Sequence, residues 1–423
     1  MLFFALACNP TPLTVDVPKD SADPIVESQP ELPDDSEPLE SIGPVDSTPD
    51  VEVWEDPDPP ATYAAFFDPN VVQEIRIELS ADAIRTLNRR PDDYVEGNAT
   101  VNGISFPKVG VRLKGSSTFQ DLNGKAAFKI KLNEYISGQK YGDLERITLN
   151  NMISDGTQAK EVIIYQLWEM AGMTGPKCSF AQVYVNDELY GLYANVESMD
   201  DHWVERRYSD NTGDLWGTGD DSADFTRNGL SVGRDGLFSY WILKSGVGDQ
   251  APFNGILTAL QNPSGDWFAD MDPYIDTDQF LDFWAWCVIV GNQDGYPFNL
   301  NDVILYGDPA DGGRFDFSPW GVDESYDSSV VYSYVSGVLA TSCLQDTLCT
   351  GALISKVRAG IEIYSSLPVE EITAAAYSTS EEAMRNDPRR SWYISTQDVG
   401  SYRNQLRSTQ DSWVQHLNSS MGF

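Results

Sequence analysis

Between Gln73 and Val196 the apolar residues fall on every second position in one short run after another. From Ser198 onward they fall at helical spacing instead. Gln73-Glu-Ile-Arg-Ile-Glu-Leu79 alternates cleanly, the period of a strand with one buried face. Runs at 95–101, 108–114, 126–132 and 146–150 read as further strands, and 180–186 with 190–196 as a hairpin around Asn186-Asp187. Ser80 is placed to cap a helix through about Arg89, which Pro91 ends. A longer helix is predicted from about Thr157 to Ala171, carrying Val162, Ile163, Tyr165, Leu167 and Met170. In the second half, 252–262, 278–293, 351–366, 369–386 and 398–418 show helical spacing or caps. Only a hairpin at 302–318 interrupts them: an apolar run to Tyr306, turn residues from Gly307 to Gly313, then alternation to Ser318. Strands first and helices after predict an α+β fold in two lobes. An antiparallel-sheet lobe covers about 61–197 and a mainly helical lobe about 198–423, so the folded unit is 61–423.

The chain ahead of that unit has another character. Residues 9–60 hold 12 of the 24 prolines, many acids and one basic residue, Lys19. Such a stretch buries too little apolar surface to offset its chain entropy, so 9–60 is predicted to be a disordered, extended tether. Residues 1–8, Met1-Leu-Phe-Phe-Ala-Leu-Ala-Cys8, form a short apolar run ending in small residues and a cysteine. This resembles the end of a bacterial lipoprotein signal, although the usual basic segment is absent. It implies an exported protein, lipid-anchored through Cys8 at the cell envelope or surface. An ordinary N-terminus with a chance cysteine is the alternative. No other run approaches the roughly 18 apolar residues of a membrane span. With 65 acidic against 28 basic residues the net charge is −37, which repels nucleic acid and anionic lipid. We therefore expect no nucleic-acid partner and no membrane contact except through the anchor. Two histidines leave no basis for a His-rich metal site. Cys343 and Cys349 bracket a short loop and suit a local disulfide in an exported protein. Cys287 lies within an apolar helix as a core residue.

Chemistry concentrates near Asp294-Gly-Tyr-Pro-Phe-Asn299 and Pro319-Trp320-Gly-Val-Asp323. An Asp followed five residues later by an Asn is the spacing of a protein-kinase catalytic loop. There the Asp takes the proton of the attacking hydroxyl and the Asn holds Mg²⁺. The same pair also fits a capped loop after a helix. Three further blocks stand upstream in order: Val109-Gly-Val-Arg-Leu-Lys-Gly-Ser-Ser-Thr118 with Lys125-Ala-Ala-Phe-Lys-Ile-Lys-Leu132, then Gly138-Gln-Lys-Tyr-Gly142 with Ile147-Thr-Leu-Asn-Asn151, then the hairpin from Val183 to Glu197. Together with 280–323 they resemble the spore-coat protein H (CotH) kinase family over roughly residues 70–325. That family shows an apolar helix, Gly-Asn-x-Asp, an Asn-bearing strand ending Leu-Tyr, and Pro-Trp-Asp-x-Asp. The resemblance implies a secreted, atypical kinase-like protein that uses ATP with Mg²⁺ or Mn²⁺. Two departures stand out. Gly321 replaces the Asp that follows Pro-Trp, and Asp302 occupies the Asn position counted back from Tyr306. Asp is a hard oxygen donor suited to Mg²⁺, and residues two apart on a strand share a face, so Asp323 is placed to take over the missing role.

Asp294 is the expected base, and Asp323 with either Asn299 or Asp302 the expected metal ligands. Lys114, Gly115 and Ser117 form a small-residue turn able to approach phosphate, or a plain β-turn. Lys125 and Lys129 concentrate positive charge near one sheet face, as an anion site or a solvated one. Glu161 is placed to pair with a phosphate-binding Lys or simply to sit at a helix N-terminus. Glu197 stands where family members keep a Glu near the lobe junction. The predicted function is transfer of phosphate from ATP to Ser/Thr hydroxyls of a protein substrate. The alternative is a degenerate kinase-fold scaffold or surface-binding protein, for which Gly321 is the sequence argument.

Overall fold

The computed structural model describes residues 53–219, 222–390 and 396–422. Its first seven strands are β1 (Val72–Leu79), β2 (Val95–Val101), β3 (Ile104–Lys114), β4 (Ala127–Lys131), β5 (Arg146–Asn150), β6 (Cys178–Val185) and β7 (Glu188–Val196). They close a barrel in the order β1-β2-β3-β4-β5-β7-β6. Closure comes from a parallel pair, β1 with β6, in which Ile75 faces Val183. The other neighbours are antiparallel. The sequence predicted a mostly antiparallel sheet. Alternation identifies a strand's buried face but not its partner, so closure was not readable. Ile75, Ile77, Val111, Leu113, Phe128 and Ile130 fill the barrel core. The intervening Arg112, Lys114 and Lys129 are therefore turned to the outer face.

Three helices accompany the barrel: α1 (Pro59–Phe66), α2 (Ala81–Leu87) and α3 (Lys160–Met170). Ser80 caps α2 as predicted, its Oγ accepting from the Ala83 N–H at 3.1 Å. The remaining helices are α4 (Asp201–Glu205), α5 (Ala251–Gln261), α6 (Trp267–Met271), α7 (Thr277–Ile289), α8 (Tyr296–Asn299), α9 (Val338–Gln345), α10 (Thr347–Ser366), α11 (Val369–Asn386) and α12 (Thr396–Met421). Val162, Ile163, Leu167 and Trp168 of α3 join their core, together with Phe280, Phe283, Trp284 and Trp286 of α7. Trp168 lies 6.2 Å, ring to ring, from both Phe283 and Trp286. The result is a two-lobed α+β fold in which α3 belongs to both lobes. A disulfide joins Cys343 of α9 to Cys349 of α10, and Cys287 is a buried free thiol.

A second sheet, ordered β11-β10-β8-β9, contains β8 (Leu215–Thr218), β9 (Trp241–Ser245), β10 (Val303–Asp308) and β11 (Arg314–Pro319). The sequence predicted only the β10–β11 hairpin here. β8 has four residues, one of them Gly217, and Trp-Ile-Leu-Lys-Ser of β9 does not alternate, so neither carries a readable period. The folded unit also starts earlier than residue 61. Trp54 stacks on Tyr141 at 5.7 Å and meets Phe106 edge-on at 5.8 Å, and Asp56 Oδ2 accepts from the Gly142 N–H at 3.1 Å. The rest of the expected tether, and Cys8, lie outside the described residues. Among the described residues no helix is long and apolar enough to cross a membrane.

Candidate functional site

The catalytic-loop candidate follows α7 directly. After Ile289 the chain turns through Gly291, passes Asp294 and makes the short helix α8. Leu300 and Asp302 both adopt left-handed backbone, with φ of 55° and 44°, and steer the chain into β10. β10 pairs with β11 so that Val303 faces Pro319. Just beyond that pair the Trp320 N–H donates to the Asp302 carbonyl at 3.1 Å. The open end of the hairpin thus brings Asp302 and the segment 320–323 beside the loop that carries Asp294. Asn299 is exposed and donates its side-chain amide to Asp294 Oδ1 at 2.8 Å. That contact orients Asp294. The other alternative for the second ligand, Asp302, lies in the field of Asp294 and Asp323.

The electrostatics of this end of the hairpin are one-sided. Burial raises the Asp302 carboxyl well above its usual range, the Asp294 and Asp323 charges add to that, and Lys114 opposes them. Asp323 is raised by burial and by Asp155 and Asp294. Glu161, in the first turn of α3, is pushed up to about 8 by burial and then by Asp323. Its Oε1 accepts from Asn150 Nδ2 at 2.6 Å. The same Asn150 side chain accepts from the Lys114 ammonium, so Lys114 and Glu161 are joined through one amide. Four carboxylates from separate segments therefore press on one another, opposed by Lys114 at Asp302 and Glu161 and by Lys160 at Asp323. A hard cation would relieve that repulsion. Among the described residues no three acidic, His or Cys side chains converge closely enough to hold a metal ion unaided. Mg²⁺ is commonly held by one or two carboxylates with substrate phosphates completing its shell. The chemistry of Asp302 and Asp323 fits that arrangement.

Gly321 has a geometric explanation. Its φ is +54°, and a Cβ placed there would lie 2.0 Å from Asp302 Oδ2. The Asp302 carboxylate fills the space a side chain at 321 would need. Gly321→Asp is accordingly expected to lower stability by at least about 1–3 kcal/mol, from left-handed strain in a non-Gly residue. Steric and like-charge conflict with Asp302 adds to this. Urea denaturation of the variant checks the value, and an unchanged midpoint would refute the packing described here.

The cations lie on the outer face of the barrel and across from it. Arg112 pairs with Lys129 in the β3–β4 register. Lys129 is held well below its ordinary pKa by burial and then by Lys244, Lys114, Arg112 and Arg146. Lys244, on β9, is pushed down to about 8 by burial and by Lys114 and Arg112. Sequence reasoning missed Lys244 because it missed its strand. Gly115 and Ser117 sit on an exposed turn directly after Lys114. Asn151 straps that turn by donating to the carbonyls of Thr118 at 3.0 Å and Lys125 at 2.8 Å.

Two expected ligands have structural duties instead. Lys125 is buried in an ion pair with Asp387 at 2.7 Å, its partner lying 262 positions away in sequence. Glu197 is buried and accepts from Arg206 at 2.9 Å, Arg207 at 2.6 Å, the Tyr63 hydroxyl at 2.8 Å and the Lys177 N–H at 3.0 Å. Burial would raise its carboxyl, but Arg207 and Arg206 hold it below the usual range. Neither residue is free to meet a nucleotide. A cavity of about 590 Å³ opens elsewhere, lined by Asp214, Tyr274, Pro309 and Phe315. It lies at the turn end of the β10–β11 hairpin, opposite the Asp302 end, and has none of the candidate residues.

A family model described as CotH kinase protein matches residues 111–351. The inner spore coat protein H of Bacillus subtilis (strain 168) is 23% identical over 192 residues, which is 43% of this chain and 49% of that protein. The chain thus spans about half the length of that relative. Among solved structures, the Helicobacter pylori proinflammatory kinase CtkA aligns over 69% of this chain and 94% of its own, with 9% identity and a TM-score of 0.29, a likeness too loose to argue from. The family match covers more than half of the sequence and contains Lys114, Glu161, Asp294, Asp302 and Asp323, and the chain belongs to the CotH kinase family.

Proposed function

We propose that this chain is an exported phosphotransferase that moves the γ-phosphate of ATP to Ser or Thr hydroxyls of a protein. The observation that carries this reading is the gathering of Asp294, Asp323, Glu161 and Lys114 about Asp302, at the open end of the β10–β11 hairpin. In the proposed reaction the acceptor hydroxyl oxygen attacks the γ-phosphorus. Asp294 takes the hydroxyl proton, and the bond from the γ-phosphorus to the bridging oxygen breaks, releasing ADP. Asn299 keeps the Asp294 carboxylate aimed. Lys114 and Lys129 lie where positive charge can face the phosphate chain, and Gly115 and Ser117 offer backbone N–H groups from the turn after β3. Asp302 and Asp323 would hold Mg²⁺ or Mn²⁺, which when bound would neutralise phosphate charge.

The test is metal-dependent stabilisation. ATP with Mn²⁺ should raise the unfolding temperature of the wild type, as any ligand selective for the folded state does. Asp323→Ala should lose the metal-dependent part of that shift. No shift in the wild type would favour the rival reading, a kinase-fold binding protein without turnover. That rival draws on Gly321, which stands where the family pattern has an Asp.

Export and anchoring belong to the same proposal. The Cys343–Cys349 disulfide supports an oxidising compartment, and the apolar run ending at Cys8 supports a lipid anchor. Mass spectrometry of protein from the native membrane fraction should find Cys8 acylated. An unmodified Cys8 would end the anchor reading.

A further inference from the structure

The positive side of the site is built from both lobes, and its geometry is more specific than a basic patch. Lys129 stands on β4 of the barrel and Lys244 on β9 of the second sheet. The Lys244 stem reaches the site by crossing β8 at Gly217. A Cβ at that glycine would lie 2.3 Å from Lys244 Cε and 2.9 Å from Ile304 Cδ1, so any larger residue would block the path. The Lys244 ammonium ends 5.9 Å from the centre of the Trp320 ring, and the Lys114 ammonium ends 5.5 Å from the same ring. Trp320 is thus a flat wall with a cation from each lobe close to it.

The neighbouring cations already have partners. Arg146 is met by Asp200 at 2.9 Å and Asp201 at 3.2 Å. Arg112 is 3.6 Å from Asp92, and Lys131 is 2.7 Å from Glu134. Among the described residues Lys129 and Lys244 make no ion pair and no hydrogen bond, and the groups that act most strongly on each are other cations. In a chain with a net charge of −37, two lysines without ion pairs, Lys129 opposite Arg112 in the barrel register and Lys244 beside Trp320, are a costly arrangement. A ligand with anionic groups at several points along its length would meet both at once. A chain of linked phosphates has that form. A single carboxylate does not.

We propose that Lys129 and Lys244 form a metal-independent grip on an oligophosphate, one cation from each lobe, with Gly217 as the opening that lets Lys244 reach it. This rests on the nucleotide reading above for the identity of the ligand in the cell. It adds a residue, a path and a metal-free binding step that the reading does not contain.

The experiment titrates the full chain in EDTA with inorganic tripolyphosphate, ATP and AMP, by calorimetry and by thermal unfolding. Tripolyphosphate and ATP should bind the wild type without metal and raise its unfolding temperature, and AMP should bind far more weakly. Lys129→Met and Lys244→Met should each weaken tripolyphosphate about tenfold, the loss of one charge-assisted contact. Gly217→Ala should weaken it similarly by displacing the Lys244 stem. Lys131→Met, on the same strand but already paired, should change affinity less than about twofold. Lys244→Met without ligand should unfold no lower than the wild type, because it removes repulsion, and this separates loss of the grip from loss of the fold. Undiminished binding by Lys244→Met overturns the proposal. So does a wild type that binds ATP only with metal and tripolyphosphate not at all, which would leave the phosphotransferase reading intact. Lys244-dependent binding of tripolyphosphate in a protein that never transfers phosphate would uphold the grip and remove that reading.

Discussion

Asp294→Asn should lower phosphate transfer by about 10²–10⁴-fold, the usual contribution of a positioned general base, with nucleotide affinity nearly unchanged. The structure makes the substitution a clean one. Asp294 Oδ1 accepts from the Asn299 amide, and an Asn at 294 keeps a carbonyl oxygen for that bond. The loop between α7 and β10 should keep its shape, and its left-handed residues Leu300 and Asp302 are untouched. What is lost is the ability to take a proton. Transfer rate and nucleotide affinity measured on one preparation separate this from unfolding, which would lower both. A variant as active as the wild type, with an unchanged circular dichroism spectrum, would remove Asp294 from the mechanism.

Asp387→Ala should destabilise the fold by about 3–5 kcal/mol, because it leaves the Lys125 ammonium buried without a partner. Both side chains are almost fully buried, at 1% and 0% exposed. Asp387 follows α11 directly and also accepts from the Leu192 N–H at 2.9 Å and the Arg389 N–H at 2.8 Å. One carboxylate thus ties the end of the helical lobe to β7 and to the start of β4. Paired replacement, Lys125→Met with Asp387→Leu, should recover much of the loss, since apolar pairs often substitute for buried ion pairs. Urea denaturation measures all three proteins. A loss under about 1 kcal/mol in Asp387→Ala would contradict this role. The same experiment decides the fate of Lys125, whose replacement should change stability rather than nucleotide affinity.

The sequence was legible where a period or a local motif carried the information. Alternation located the barrel strands, and Ser80 announced α2. The apolar run with Asp294, Asp302 and Asp323 marked the loop and hairpin that the structure brings together. It was illegible where the answer lay in a distant partner. Lys125 read as a free cation because Asp387 is 262 positions away, and Glu197 read as a site residue because nothing nearby announces Arg206, Arg207 and Tyr63 converging on it. Lys244 lies on a five-residue strand without alternation. Gly321 read as a missing ligand, whereas the space it leaves is filled by Asp302, the residue before β10. That exchange is a property of register and cannot be counted along the chain.

The most direct test of the central claim is incorporation of labelled γ-phosphate from ATP into protein by the wild-type chain, with Mn²⁺ or Mg²⁺ and again in EDTA. Transfer that requires metal and disappears in Asp323→Ala is the predicted result. A folded wild type that transfers nothing with either ion, or one whose transfer survives both EDTA and Asp323→Ala, would contradict it.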